Sequence, residues 1–178
     1  ELLKNSRIIV MVGYQGSGKT TFIKTNLYDH KYISQDILGT QAKCIRECKK
    51  ELELGNNIVI DNTNPSIKTR KLYIDLATKY EINIVCCLIN TSFELSLHNN
   101  YYRYLNHNYS YDLGNNSHDL SNNSGQSSTP IRTLVPTIAY NIYKKNYIEP
   151  TKEEGFDEVI KINLNFKTDD INYNQYLY

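Results

Sequence analysis

Tryptophan is absent from this chain, no cysteine pair has Cys-x-x-Cys spacing, neither sign of charge dominates, and no apolar run is long enough to span a bilayer. Each shortfall excludes a class. The four cysteines, Cys44, Cys48, Cys86 and Cys87, support neither a zinc knuckle nor a disulfide framework. Cys44 and Cys48 share a helix face and Cys86-Cys87 fall in an apolar run, so they read as buried thiols in a reducing compartment. A net charge of +1 argues against a non-specific nucleic-acid coat protein, although a local basic groove needs only local placement of charge. No membrane is expected. The N-terminus also lacks a signal-peptide pattern, which predicts an intracellular protein that is not secreted. Nucleus, cytoplasm and a viral replication site all satisfy that expectation. The composition leans to Asn, Ile, Lys and Tyr, as in an AT-rich coding genome.

What is present organises itself around Gly13-Tyr-Gln-Gly-Ser-Gly-Lys-Thr20. The apolar run Arg7–Val12 precedes it and a helix-like segment follows it, giving strand, Gly-rich loop and helix. That is the phosphate-binding P-loop pattern, with Gly13, Gly18, Lys19 and Thr20 at its diagnostic positions. Glycines let successive backbone N–H groups turn inward around an anion, and the helix start adds its positive dipole end. Lys19 reaches the β- and γ-phosphates, and the Thr20 hydroxyl is a ligand for Mg²⁺. The candidate ATP-binding set is Gly13, Tyr14, Gln15, Gly16, Ser17, Gly18, Lys19, Thr20 and Thr21.

The 178 residues suit one α/β domain with its own core. Strands are expected at Arg7–Val12, Tyr32–Ser34, Ile58–Ile60, Ile82–Asn90 and Phe156–Leu164. Helices are expected at Lys19–Leu27, Leu38–Leu54, from Asn64-Pro65 (N-cap and first position) to Tyr80, from Thr91 toward Tyr104, and at Leu134–Asn146. The alternation predicts a three-layer αβα fold of the P-loop, adenylate-kinase-like kind around a parallel sheet of about five strands. Residues 105–131, rich in Asn, Ser and Gly, read as a low-complexity lid insertion that buries too little to order itself. Residues 165–178 read as a polar tail. The chain opens almost directly on its first strand, as a domain of a longer protein does.

Ligands in such sheets bind beyond the carboxyl ends of the strands, where the P-loop, Asp36 and Asp61 all fall. Asp36 reads either as a group accepting the proton of an attacking hydroxyl or as the cap of the following helix. Asp61 reads as a carboxylate near Mg²⁺, through water, or as a turn former in Asp-Asn-Thr-Asn-Pro. Arg103 is a candidate arginine finger or a helix-end cation. Arg132, Lys144 and Lys145 flank the far side of the insertion. Tyr101, Tyr102, Tyr104, Tyr109 and Tyr111 can stack on bases or simply fill core and surface.

The chain resembles the kinase domain of the bifunctional polynucleotide phosphatase/kinase family. The resemblance rests on Gly13–Phe22, Gln35-Asp-Ile-Leu-Gly39, Ile60-Asp-Asn-Thr-Asn-Pro65, His98-Asn-Asn100 with Arg103, and Glu149-Pro-Thr-Lys-Glu-Glu-Gly-Phe156. It implies transfer of the ATP γ-phosphate to 5′-hydroxyl ends of DNA or RNA in nucleic-acid repair. Asp36 would activate the hydroxyl, Lys19 and Arg103 would stabilise the transferring phosphoryl, and Asp61, Thr63 and Asn64, with Lys43, would shape the acceptor site. The resemblance also implies a phosphatase domain N-terminal to this chain. The Asp-x-Asp-x-Thr nucleophile of such a domain is missing here, so no phosphatase activity is expected of the chain itself. Gln35, Lys43 and Tyr101 stand where the family often carries arginines, which predicts a weaker hold on phosphate. Two other readings share the fold: a small-molecule or nucleoside kinase, and a module that binds nucleotide and a nucleic-acid end without transfer. A monomer is expected.

Overall fold

A computed structural model describes residues 2–115, 133–165 and 173. Five parallel strands form one sheet: β1 (Ile8–Val12), β2 (Lys31–Ile33), β3 (Ile58–Ile60), β4 (Ile84–Ile89) and β5 (Glu158–Ile162), in the spatial order β2-β3-β1-β4-β5. The central β1 registers Ile8 against both Ile58 and Ile84. Its continuous apolar run is explained by alternation. Ile8, Val10 and Val12 enter one core with helix residues Cys44, Cys48, Tyr73 and Leu76. Ile9 and Met11 enter the core on the opposite face with Ile23 and Leu27. A strand covered on both faces has no polar side to keep. The expected P-loop αβα architecture is therefore the one observed.

The helices are α1 (Lys19–Asn26), α2 (Gln35–Leu38), α3 (Gln41–Glu53), α4 (Ile67–Tyr80), α5 (Phe93–Asn115) and α6 (Thr137–Asn146), with a 3₁₀ turn at Lys152–Glu154. Several boundaries differ from expectation. The single helix expected over Leu38–Leu54 is two. Gly39, with φ 84°, ends α2, and the Thr40 hydroxyl accepts the Lys43 N–H to start α3. Asn64 does not cap α4. Ser66 does, in a reciprocal box with Thr69, while Asn64 turns through φ 44° and donates its buried amide to the Met11 carbonyl at 2.8 Å. Ser92, not Thr91, caps α5 by accepting the Leu95 N–H.

Helix α5 also runs through residues 105–115, the first part of the expected insertion. Residues 116–131, Arg132 and most of the expected tail lie outside the described residues. All four cysteines are free and buried. Among the described residues no helix is long and apolar enough to cross a membrane.

One buried ion pair locks α4 to the segment before β5. The Arg70 guanidinium, fully buried, meets the Glu154 carboxylate through Nε–Oε2 at 2.8 Å and Nη2–Oε1 at 2.5 Å. Its Nη1 donates to the carbonyls of Asn64 and Pro65, each at 3.1 Å. This fixes the stretch just after β3, where the cleft residues Asp61 to Thr63 sit.

Candidate active site

The loop between β1 and α1 is built to expose backbone donors. Gly16, at φ 74°, sits where a Cβ would collide with the Ser96 carbonyl, so only glycine fits. No side chain caps α1 and no acid stands in its first turn, which leaves its orphan N–H groups available to an anion. The loop's carbonyls are held from outside. The Thr91 hydroxyl donates to Ser17 O at 2.8 Å and the Asn99 amide to Gly16 O at 2.9 Å. The Gly13 N–H donates to Thr63 O at 3.2 Å, tying the loop to the end of β3.

Lys19 folds back into this loop. Its ammonium is buried and donates to Tyr14 O at 2.6 Å and Gly13 O at 3.0 Å. Burial pulls its pKa down to about 8. Asp61 opposes that shift, and Arg103 adds to it. Tyr14 itself is wedged against Tyr143, with ring centroids 4.3 Å apart.

A cleft of about 440 Å³ opens over the loop, lined in part by Gly16, Lys19, Thr20, Asp36, Asp61 and Arg103. Asp61 is buried, and its Oδ2 accepts from the Thr20 hydroxyl at 2.5 Å and the Tyr32 hydroxyl at 2.7 Å. Desolvation, then the Asp61 carboxylate, pushes the Tyr32 phenol up to about 12. Asp36 is exposed to the cleft from the first turn of α2. Its side chain is not the cap, because Ser34 Oγ accepts the Asp36 N–H at 3.2 Å. Asn62 places the helix by accepting the Gln35 N–H at 2.8 Å.

The structure thus brings Gln15, Gly16, Lys19, Thr20, Asp36, Asp61, Thr63 and Arg103 to one cleft. Gly13, Tyr14, Ser17 and Gly18 shape the loop rather than line the cleft. Three expected site residues are elsewhere. Thr21 is exposed on α1, where its carbonyl accepts from Thr25. Lys43 is exposed in the first turn of α3, outside the cleft lining. Asn64 is buried as a tether to β1. Lys144 and Lys145 are exposed at the end of α6. Tyr101 lines a separate, largely apolar groove with Phe93 and Leu97, so Arg103 is the only arginine lining the cleft among the described residues. Tyr102 packs edge-on against Tyr173, and the side chains of Tyr109 and Tyr111 lie outside the described residues. Sequence reasoning gave no role to Tyr32, Asn62 or Asn99. Asn62 and Asn99 carried local signals, their places in Asp-Asn-Thr-Asn-Pro and His-Asn-Asn, while Tyr32 carried none.

No protein-family model matches the chain. It is 35% identical over 161 residues, 89% of its own length, to a protein of Schizosaccharomyces pombe named bifunctional polynucleotide phosphatase/kinase. It is 36% identical over 166 residues, 92% of its length, to an Acanthamoeba polyphaga mimivirus protein given the same name provisionally. The chain spans about a third of the length of these relatives, 34% of each. Among solved structures it is similar to a provisionally assigned kinase from Chloroflexus aurantiacus. The TM-score is 0.55 at 13% identity, with 96% of this chain and 94% of that one covered. This likeness shows the fold alone. Over about nine tenths of its length, then, this chain is homologous to a stretch amounting to about one third of each of two proteins named, one of them provisionally, bifunctional polynucleotide phosphatase/kinase.

Proposed function

We propose that the chain is an ATP-dependent polynucleotide 5′-hydroxyl kinase acting on DNA or RNA ends, as in nucleic-acid repair. The observation that carries this reading is the cleft itself. A buried ammonium and a phosphate loop form one wall, and an exposed carboxylate, Asp36, stands on another. The sequence similarity to polynucleotide phosphatase/kinases supports the choice of acceptor.

The backbone N–H groups of the loop and Lys19 would hold the ATP phosphates. The Thr20 hydroxyl and Asp61 carboxylate are adjacent hard oxygen donors, a set that suits Mg²⁺ with several retained waters. The ion would supply charge neutralisation on the phosphate oxygens. Asp36 takes the proton of the 5′-hydroxyl as its oxygen forms the new bond to the γ-phosphorus. The bond from that phosphorus to the β–γ bridging oxygen breaks, and ADP leaves. Lys19 and Arg103 stabilise the charge on the transferring group. Thr63 and Gln35 also line the cleft and would border the acceptor. The names and greater length of its relatives support a companion phosphatase domain in a longer protein, and the family resemblance would place it N-terminal to this chain.

The test is transfer of label from γ-labelled ATP to matched 5′-hydroxyl DNA and RNA oligonucleotides, with nucleosides and sugars as competing acceptors. Labelled oligonucleotide 5′ ends are expected. Label on nucleosides or sugars alone would make this a small-molecule kinase, and bound ATP with no product would make it a binding module.

A further inference from the structure

We infer that Tyr173, beyond the last strand, is a positioning residue for the phosphate loop, acting through Asn99 on the Gly16 carbonyl. Both side chains are buried. The Tyr173 hydroxyl donates to Asn99 Oδ1 at 2.7 Å, and Asn99 Nδ2 donates to Gly16 O at 2.9 Å. A primary amide has one donor end and one acceptor end. With the acceptor end taken by Tyr173, the donor end must face Gly16. Remove the hydroxyl and Oδ1 is left buried without that donor, and a flip would set two oxygens against each other. The ring is held for this task. It lies edge-on to His98 at 4.6 Å and to Tyr102 at 4.9 Å, one position before and three positions after Asn99 along α5. Burial also raises the phenol's pKa, which keeps it a donor.

The consequence for the loop follows from the peptide group. In a planar trans peptide the C=O and the following N–H point in opposite directions. Drawing Gly16 O toward Asn99 therefore turns the Ser17 N–H to the inner side, where it meets Tyr14 O at 3.2 Å. Thr91 does the same to Ser17 O, which turns the Gly18 N–H. The Tyr14 carbonyl inside is also the one that holds the Lys19 ammonium. The brace thus fixes the Tyr14–Ser17 turn that shapes the loop and seats Lys19, ahead of the N–H groups from Gly18 onward that would meet phosphate. Arg103 stands one turn beyond Asn99 on α5 and lines the cleft, so one helix carries both the brace and the cleft arginine.

This inference rests on the reading of the loop as a nucleotide site. Its test is MgATP titration of the 178-residue chain and of Tyr173→Phe, Asn99→Ala and the double variant, far below their melting temperatures. One buried hydrogen bond predicts that Tyr173→Phe weakens MgATP by about three- to tenfold, with the loss in KM for ATP rather than in kcat. The double variant should bind no more weakly than Asn99→Ala. Wild-type affinity in folded Tyr173→Phe, or additive losses, overturns the brace. Should Tyr173→Phe fail to fold, Asn99→Asp decides. It still accepts from Tyr173 but sets a carboxylate oxygen against Gly16 O, so affinity must fall, and unchanged affinity overturns the proposal. A wild-type chain that binds no MgATP overturns the nucleotide reading and the brace together. Binding without transfer overturns only the kinase reading.

Discussion

Raising the pH from 7 to 9 should weaken ATP binding about tenfold through one group. Lys19 is buried and its pKa is drawn down to about 8, chiefly by desolvation. Phosphate needs the charged ammonium. Below that value nearly all of the protein is competent to bind. One unit above it only about a tenth is, and the apparent Kd rises in inverse proportion to the competent fraction. The thiols do not compete in this window. Burial pushes Cys48 and Cys87 up to about 12, and raises Cys44 and Cys86 as well. Tyr32 also stands at about 12. The assay is equilibrium titration with MgATP at constant ionic strength across the range, on wild type and on Lys19→Arg. The guanidinium does not titrate there, so the variant should bind weakly but with no slope. The sign for stability is the reverse. The folded pKa lies below the unfolded 10.5, so between about 8 and 10.5 the unfolded chain binds more protons. The Lys19 contribution to stability therefore grows as pH rises through that window. A wild-type Kd that stays flat from pH 7 to 9, or an equal slope in Lys19→Arg, would refute the reasoning.

Glu154→Gln leaves the buried Arg70 charge without its counter-ion and should cost about 3–5 kcal/mol. At about 2–4 °C per kcal/mol for a chain of this size, melting should fall by roughly 6–20 °C. A loss under about 1 kcal/mol in denaturant titration would mean that the pair behaves as an exposed one. Asp61→Asn keeps an acceptor for Thr20 and Tyr32 but removes the charge beside the hydroxyl. It should raise the Mg²⁺ concentration needed for half-maximal turnover about tenfold or more, and an unchanged Mg²⁺ requirement would separate Asp61 from the metal.

Much of this site was legible because its chemistry is local. The P-loop declares itself through spacing within eight consecutive residues, and Asp36 and Asp61 through their places at strand ends. The apolar runs announced β1 and β4. Legibility failed where the partner is distant in sequence. Arg70 and Glu154 are 84 positions apart, and nothing in either neighbourhood announces a buried pair. Asn64 looked like a cap beside Pro65, but its amide is claimed by Met11. The break inside the expected second helix was signalled by Gly39-Thr40, yet apolar periodicity continued across it. Helix α5 outran its expected end near Tyr104. Within the expected part of that helix, too, hydrophobic patterning did not announce docking that is largely polar. Asn99 reaches Gly16, and Asn100 pairs with both backbone groups of Val135, at 2.8 and 3.2 Å.

The proposed function divides labour inside one cleft: the loop and Lys19 would hold the donor, and Asp36 would take the acceptor's proton. Single-turnover transfer to a 5′-hydroxyl oligonucleotide by Asp36→Asn, measured alongside its MgATP affinity, tests that division most directly. A general base is worth about 10²- to 10⁴-fold, so the rate of the chemical step should fall by that much while the Kd for MgATP stays within about twofold of wild type. Transfer at the wild-type rate, or nucleotide binding lost together with transfer, would contradict it.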